Sequence, residues 1–339
     1  MVSPLGKKLR LFRAWSSRHP VWCAWQVTYR CNFRCRFCSY WHDPAGLAAE
    51  HPVSDYETGS AKLARWGSLL VSLAGGEPLL RHDLPEIVRA VGRYHFPFVT
   101  TNGWLATAAV ADALMAAGLW GVSISIDYAD PARHDKARHA PGAWEQAWRA
   151  VEMFSKARRH KWQRVNVIAV LMQDNLDDIA PLIEMAARRN AYFMVQPYGH
   201  LKTGSRSHAH DDGPVSQYLV NLRKTCPNFL SNPWYLGQFD RFLRGGVPDC
   251  RAGRAFFNID ATGEVAICVE RRHDPVGNLY TDHPQVIMDR LRRASENNPC
   301  TECWYNCRGE TESLYRPEAL IASLPTLFYD RGAPVQDKD

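Results

Sequence analysis

Between Trp22 and Gln196, short apolar runs alternate with stretches of helical periodicity, and this rhythm restricts the fold more than any other feature of the chain. Trp22–Thr28, Leu69–Leu73, Phe96–Thr100, Val122–Asp127, Arg164–Leu171 and Tyr192–Gln196 read as strands. Ala106–Ala117, Trp144–His160 and Leu176–Arg189 read as helices between them. Ser54 with Glu57, and Asp83 with Glu86, have capping-box spacing and mark two further helix starts. Strands separated by helices pair in parallel. Repeats of about 30 residues predict an α/β fold: a partial (β/α)6 barrel of TIM type, open rather than closed by eight strands.

The residues that carry chemistry fall at the C-terminal ends of these strands, the face on which such barrels build their sites. Cys31, Cys35 and Cys38 follow the first strand with the spacing C-x3-C-x2-C. Three thiolates this close can hold a cubane iron-sulfur cluster, yet they supply one ligand fewer than its four irons need. The uncovered iron is open to a small molecule. Gly75-Gly76-Glu77-Pro78 follows the second strand and Thr101-Asn102-Gly103 the third. Ser125 and Asp127 share one side of the fourth, and Gln196 ends the sixth. Asn102 reads first as a turn former.

The cysteine motif, with Phe37 before its last cysteine, and the Gly-Gly-Glu-Pro turn together resemble the radical S-adenosylmethionine (radical SAM) superfamily over roughly Val21 to Tyr198. The resemblance implies a [4Fe-4S] cluster on Cys31, Cys35 and Cys38, with S-adenosylmethionine as its partner. It implies reductive cleavage of that cofactor to a 5′-deoxyadenosyl radical, which takes a hydrogen atom from substrate. Glu77 is expected to accept the cofactor's ammonium, with the Gly75 and Gly76 backbone in close approach and Phe37 beside the adenine. Ser125 and Asp127 are expected at the ribose or methionine carboxylate, or at substrate. A one-electron reductant such as flavodoxin or ferredoxin is implied.

A second cysteine set follows the barrel. Cys250 precedes a predicted β-hairpin, Phe256–Asp260 and Val265–Ile267, whose turn carries Gly263; Cys268, Cys300, Cys303 and Cys307 come after it. A four-cysteine zinc site uses the same ligand type and the same C-x2-C pair. Alongside the first motif, however, Asp249 to Cys307 resembles the SPASM and shorter twitch extensions of radical SAM enzymes, a small α+β iron-sulfur domain. Five cysteines fit where the full SPASM pattern has seven, which implies one auxiliary [4Fe-4S] cluster. Cys250, Cys268, Cys300 and Cys303 are the preferred ligands, and Cys307 is able to replace either of the last two. Cys23 and Cys226 are expected to be unligated.

Three parts are expected: a basic segment 1–20, a core barrel 21–213 and an auxiliary-cluster region 214–339. Residues 1–18 are basic and amphipathic. Peripheral contact with an anionic membrane is one reading; a helix packed on the main domain by its apolar side is the other. No run of about 18 apolar residues suggests a spanning helix. Ten cysteines without a signal peptide point to a reducing compartment, hence the cytoplasm. A net charge of +6 with no dense basic block argues against nucleic acid. Residues 198–214 read as a loop over the barrel mouth, where His200, His208 and His210 are a solvated group before they are a metal site. A helix is expected over 215–229. Only about 20 residues precede the first strand, which favours a small-molecule or lipid-linked substrate over a peptide, although a peptide-maturase role stays open. A non-catalytic zinc or iron-sulfur protein is the competing class, and it leaves Gly-Gly-Glu-Pro unexplained.

Overall fold

The computed structural model describes residues 2–43, 50–211, 213–296 and 298–328. The first two-thirds runs α1 (Pro4–Ser16), β1 (Trp22–Thr28), α2 (Val53–Leu63), β2 (Leu70–Gly75), α3 (Leu84–Gly92), β3 (Phe96–Thr101), α4 (Ala108–Ala116), β4 (Gly121–Ser125), α5 (Pro131–Arg138), α6 (Ala143–Ala157), β5 (Arg164–Leu171), α7 (Ile179–Ala187) and β6 (Tyr192–Pro197). Then come α8 (Val215–Thr225), α9 (Pro233–Leu236), α10 (Phe239–Gly245), β7 (Phe256–Ile259), β8 (Glu264–Ala266), β9 (Gly277–Asn278), α11 (Pro284–Ser295), α12 (Asn306–Ser313) and α13 (Pro317–Phe328).

All these strands join one sheet in the order β6-β5-β4-β3-β2-β1-β7-β8-β9. Every pairing from β6 to β7 is parallel. The hairpin β7–β8 is antiparallel, as its turn residues predict, and Gly263 takes φ +84° in the turn. The hairpin does not stand apart. β7 lies beside β1, with Trp22 opposite Phe256 and Trp25 opposite Ile259, and Gln26 Nε2 donates to Asn258 Oδ1 (2.9 Å) across the seam. The sheet therefore runs on past residue 213 into the second cysteine region.

Strand alternation gives the sheet two unlike faces. Cys23, Trp25, Val27, Val71, Leu73, Val99, Val122, Ile124, Val167 and Val195 are buried in the main core. Their neighbours Ser72, Thr100, Ser123, Ser125 and Gln196 on the opposite face are only half-buried. That face mixes these polar side chains with Phe98, Ile168, Val170 and Met194. At the far edge, the segment 228–230 pairs with β6 through Phe193 N to Asn228 O and Leu230 N to Phe193 O (both 2.8 Å). The helix expected over 215–229 thus stops at Thr225, because its tail extends the sheet edge.

Other local expectations shift for identifiable reasons. Pro52, not a side-chain cap, precedes α2, so Ser54 lies inside its first turn. Asp83 occupies the N-cap of α3, but Arg81 takes its carboxylate (2.9 and 2.7 Å). The helix expected over 176–189 opens with a separate tight turn, Leu176–Asp178. α1 does not pack by its apolar side. Lys7 Nζ donates to Gly92 O and Arg10 Nη2 to Ala64 O (2.6 Å), while Leu5, Leu9 and Phe12 face outward.

His95 joins α2 to β2 from a fully buried position: Leu69 N donates to Nδ1 (3.2 Å) and Nε2 donates to Ser60 O (2.9 Å). Burial lowers its pKa from 6.5 to about 4, so the folded protein holds it neutral. The unfolded chain takes up the proton first as pH falls below 6.5, so stability present above 6.5 is lost towards pH 4. The loss is roughly 3 kcal/mol at most. His95→Gln is predicted to be less stable at pH 7 but to lose less between pH 6.5 and 4, read as urea midpoints. Equal slopes for the two proteins contradict this. A second test concerns the seam: residues 2–213 alone bare the β7-side edge of β1 and are predicted to lack a cooperative melt. A soluble fragment that melts cooperatively overturns this.

Candidate iron-sulfur site

The ends of β1 and β2 stay paired beyond the strands. Gly76 N donates to Thr28 O and Glu77 N to Arg30 O (both 2.8 Å), one residue short of Cys31. A Cβ on Gly75 would lie 1.9 Å from Thr28 O, and one on Gly76 would lie 2.1 Å from Arg30 O. Gly75 also has φ +130°, in the region that favours glycine. The two glycines therefore let the turn press against the main chain that leads into the cysteine loop.

Glu77 sits beneath this loop, fully buried. Its Oε1 accepts from Leu79 N (2.9 Å) and Thr101 Oγ1 (2.7 Å), and Oε2 accepts from Asn102 N (2.7 Å). Burial pushes its pKa up while these donors hold it down. One lone-pair direction on Oε2 is left over. Asn102 is both a turn former and a strut: its Oδ1 accepts from Trp104 N (2.9 Å) and its Nδ2 donates to Asn32 Oδ1 (2.8 Å). The turns after β2 and β3 are thereby fastened to the cysteine loop.

Cys35 is buried and Cys31 and Cys38 are half-buried, all in one cluster with Phe33, Phe37, Tyr128, Met172 and Tyr198. Burial raises Cys31 to about 11 and Cys35 to about 12, so the thiols must shed protons to bind a metal. Arg138, the last residue of α5, brings a buried cation to them and lies over the Phe37 ring at 5.6 Å. It lowers the pKa of Cys31, Cys35 and Glu77 alike. Asp127 anchors this arrangement: Oδ2 accepts from Arg138 Nε (3.0 Å) and Nη2 (2.7 Å), and Oδ1 accepts from Val170 N (3.0 Å). Asp127 thus holds Arg138 through Oδ2, while Oδ1 has the one donor Val170 N. Ser125, half-buried, has no protein partner for its hydroxyl among the described residues. Arg138 escaped the sequence reading because α5 carries four basic side chains and nothing in the order of residues singles out its last one.

The second thiol set also assembles. Cys250 and Cys300 lie close enough to share a proton, which holds the Cys300 thiol below its ordinary value. Cys303 senses Cys307, Cys268 and Cys300, and Cys307 senses Cys268. Arg308, wholly buried, ties the loops together: Nη1 donates to Cys303 O (2.8 Å), Nη2 to Val247 O (2.6 Å) and Pro248 O (2.9 Å), and Nε to Glu312 Oε1 (3.1 Å). All five cysteines remain candidates. Among the described residues no three His, Cys, Asp or Glu side chains close on a single metal-ion position. A cube asks for no such closure, since each thiolate meets its own iron.

A polar bridge joins the two sets. Lys202 Nζ contacts Glu270 Oε1 (2.7 Å) and donates to Tyr40 Oη (3.0 Å), and it lies 5.4 Å from the Tyr305 ring. Tyr40 comes from the first cysteine loop, Glu270 and Tyr305 from the second region. Burial opposes the lysine charge, but Tyr40 and Glu270 raise its pKa. The histidines 200, 208 and 210 do not gather: His200 pairs with Glu302 (3.2 Å), His208 stacks edge-on to Tyr198, and His210 Nδ1 meets Asp211 O (2.7 Å).

Residues 25–186 match the model of the Radical SAM superfamily. Mycofactocin maturase MftC of Mycolicibacterium smegmatis is 27% identical over 355 residues, spanning 94% of this chain and 86% of that protein. PqqA peptide cyclase of Xanthomonas axonopodis pv. citri is 30% identical over 263 residues, 72% of this chain and 66% of that protein. Among solved structures, Streptococcus suis SuiB bound to the precursor peptide SuiA has the same fold, with a TM-score of 0.65 at 17% identity over 84% of this chain and 70% of that one.

Asp127→Ala leaves the Arg138 charge buried without its partner and is predicted to cost about 3–5 kcal/mol. Asp127→Ala combined with Arg138→Met is predicted to regain most of that, in urea unfolding of the metal-free protein. A single variant within about 1 kcal/mol of the parent removes the assigned role of the pair.

Proposed function

Because this chain belongs to the Radical SAM superfamily, we propose that it is a peptide-modifying enzyme of that superfamily, taking hydrogen from a precursor peptide in a net oxidation that a second cluster assists. One observation carries the reading: Cys31, Cys35 and Cys38 follow β1, the second thiol set flanks the β7–β8 hairpin paired beside it, and the Lys202 bridge joins the two regions. The maturase and the peptide cyclase among the relatives support a peptide substrate, whereas the AdoMet-dependent heme synthase of Oleidesulfovibrio alaskensis, 27% identical over 93% of this chain, supports the small-molecule alternative.

The radical SAM domain implies a [4Fe-4S] cluster and S-adenosylmethionine. The donor set fits: three thiols beside a buried guanidinium, with an aromatic ring and an unpartnered hydroxyl nearby. Cys31, Cys35 and Cys38 would hold the cluster. When bound together, these groups supply a 5′-deoxyadenosyl radical that removes hydrogen from a C–H bond.

The chain's own residues bind, orient and enclose. Arg138 is the cation for the methionine carboxylate, kept in place by Asp127. Glu77 offers its remaining lone pair to the ammonium, beside the backbone of Gly75 and Gly76. Phe37 flanks the adenine, and Ser125 bonds the ribose or carboxylate. Cys250, Cys268, Cys300 and Cys303, with Cys307 beside them, would hold an auxiliary cluster, which would supply a one-electron acceptor. Lys202 keeps a positive charge between the two sets. A flavodoxin- or ferredoxin-type reductant supplies electrons, and ten free cysteines suit the reducing cytoplasm.

After anaerobic reconstitution the protein is predicted to carry about eight irons per chain and Cys303→Ala about four. About four in the parent removes the auxiliary cluster. Incubated with a reductant, S-adenosylmethionine and a peptide encoded beside this chain, the parent is predicted to release 5′-deoxyadenosine and leave the peptide two hydrogens lighter. Release of 5′-deoxyadenosine with every such peptide unchanged returns the assignment to a small molecule.

A further inference from the structure

We propose that α1, together with the adjoining start of α13, is a docking surface for an anionic lipid bilayer. Leu5, Leu9 and Phe12 on α1 are 68%, 63% and 60% exposed and Ile321 on α13 is 72%; these are the four most exposed large apolar side chains among the described residues. Leu5, Leu9 and Phe12 share one helix, and α1 meets the turn that leads into α13. Trp15 Nε1 donates to Leu314 O (3.0 Å), and the Trp15 ring lies 5.6 Å from Phe12 and 6.3 Å from Tyr315, just before α13. A patch gathered this way marks an interaction surface, whereas scattered apolar residues do not.

The helix is amphipathic but turned outward. Lys7, Arg10 and Ala14 form its inner face, where the two cations meet main-chain carbonyls and Ala14 packs against Gly67. Positions 5, 9 and 12 make one stripe on the opposite side. At 3.6 residues per turn, Lys8 and Arg13 fall roughly 70° to either side of that stripe. Arg18 follows, and no acidic residue lies between Val2 and Arg18. An α1 stripe flanked on both sides by cations, with Glu318 in the first turn of α13 the acidic neighbour of Ile321, fits the boundary between acyl chains and anionic headgroups.

Placement agrees. Gly92 ends α3 and Ala64 follows α2, and both carbonyls lie at the end of the barrel opposite Cys31, Cys35 and Cys38, since each helix ends where the next strand begins. Docking through α1 therefore turns the base to the bilayer and leaves the mouth free for a soluble substrate.

The test is sedimentation of the reconstituted full chain with vesicles of phosphatidylcholine and phosphatidylglycerol (7:3) and of phosphatidylcholine alone. Retention on the anionic vesicles is expected to exceed that on neutral ones by about tenfold and to fall in about 0.5 M salt. Leu9→Glu with Phe12→Glu is expected to lose at least about tenfold, and Arg13→Glu a smaller amount, with iron content and thermal melt unchanged. No retention on anionic vesicles, or equal retention of the double variant, overturns the proposal. So does a dimer that the double variant disperses, because the stripe then belongs to a second copy.

Discussion

Strand β1 stands between two parallel neighbours, and the rest of the site depends on that position. On one side β2 continues its pairing past the strand ends, through Gly76 and Glu77, into the start of the cysteine loop. On the other side β7 carries the second cysteine region, with Cys250 shortly before it and Cys268 just after β8. One strand therefore sets the spacing of both thiol sets. The glycines at 75 and 76 are the geometric condition for the first contact, since any side chain there would meet a carbonyl oxygen at about half the normal distance. The Gln26–Asn258 bond pins the register of the second.

Charge placement follows the same logic. Thiolates and carboxylates are costly to bury unless cations accompany them. Arg138 lies beside the first set, Arg308 beside the second, and Lys202 between them. Each is held by a carboxylate from its own neighbourhood: Asp127, Glu312 and Glu270. Such pairs add little net stability against apolar replacements, but losing one member leaves the other stranded. Their value is positional, because each guanidinium or ammonium is presented at a fixed place. Arg308 shows this most plainly, reaching three main-chain carbonyls in two separate loops.

Much of this was legible in the residue order. Local periodicity marked the strands to within a residue or two, and Trp22–Thr28 and Arg164–Leu171 match their predicted bounds. The cysteine spacing and the Gly-Gly-Glu-Pro turn marked the first site, because short motifs keep their meaning without knowledge of distant contacts. What stayed hidden depends on distance along the chain. The β1–β7 pairing joins residues more than 230 positions apart, and periodicity carries no signal for it. Lys202 becomes notable only when Tyr40 and Glu270 arrive from opposite ends of the sequence. Asp127 was singled out by its place at a strand end, and folding adds its pairing with Arg138, which the residue order did not signal. The pattern of α1 gave an amphipathic helix but not which face the protein would use.

The account rests on an open iron beside Arg138, and electron paramagnetic resonance addresses that directly. In a Cys268→Ala, Cys303→Ala variant, only the front thiols should retain a cluster, so the reduced protein should show one signal. Adding S-adenosylmethionine is predicted to shift and reshape that signal, and Arg138→Met to demand far more of the cofactor for the same change. A spectrum indifferent to the cofactor in the variant that keeps Arg138 would contradict the claim that Cys31, Cys35 and Cys38 leave one iron free to bind it.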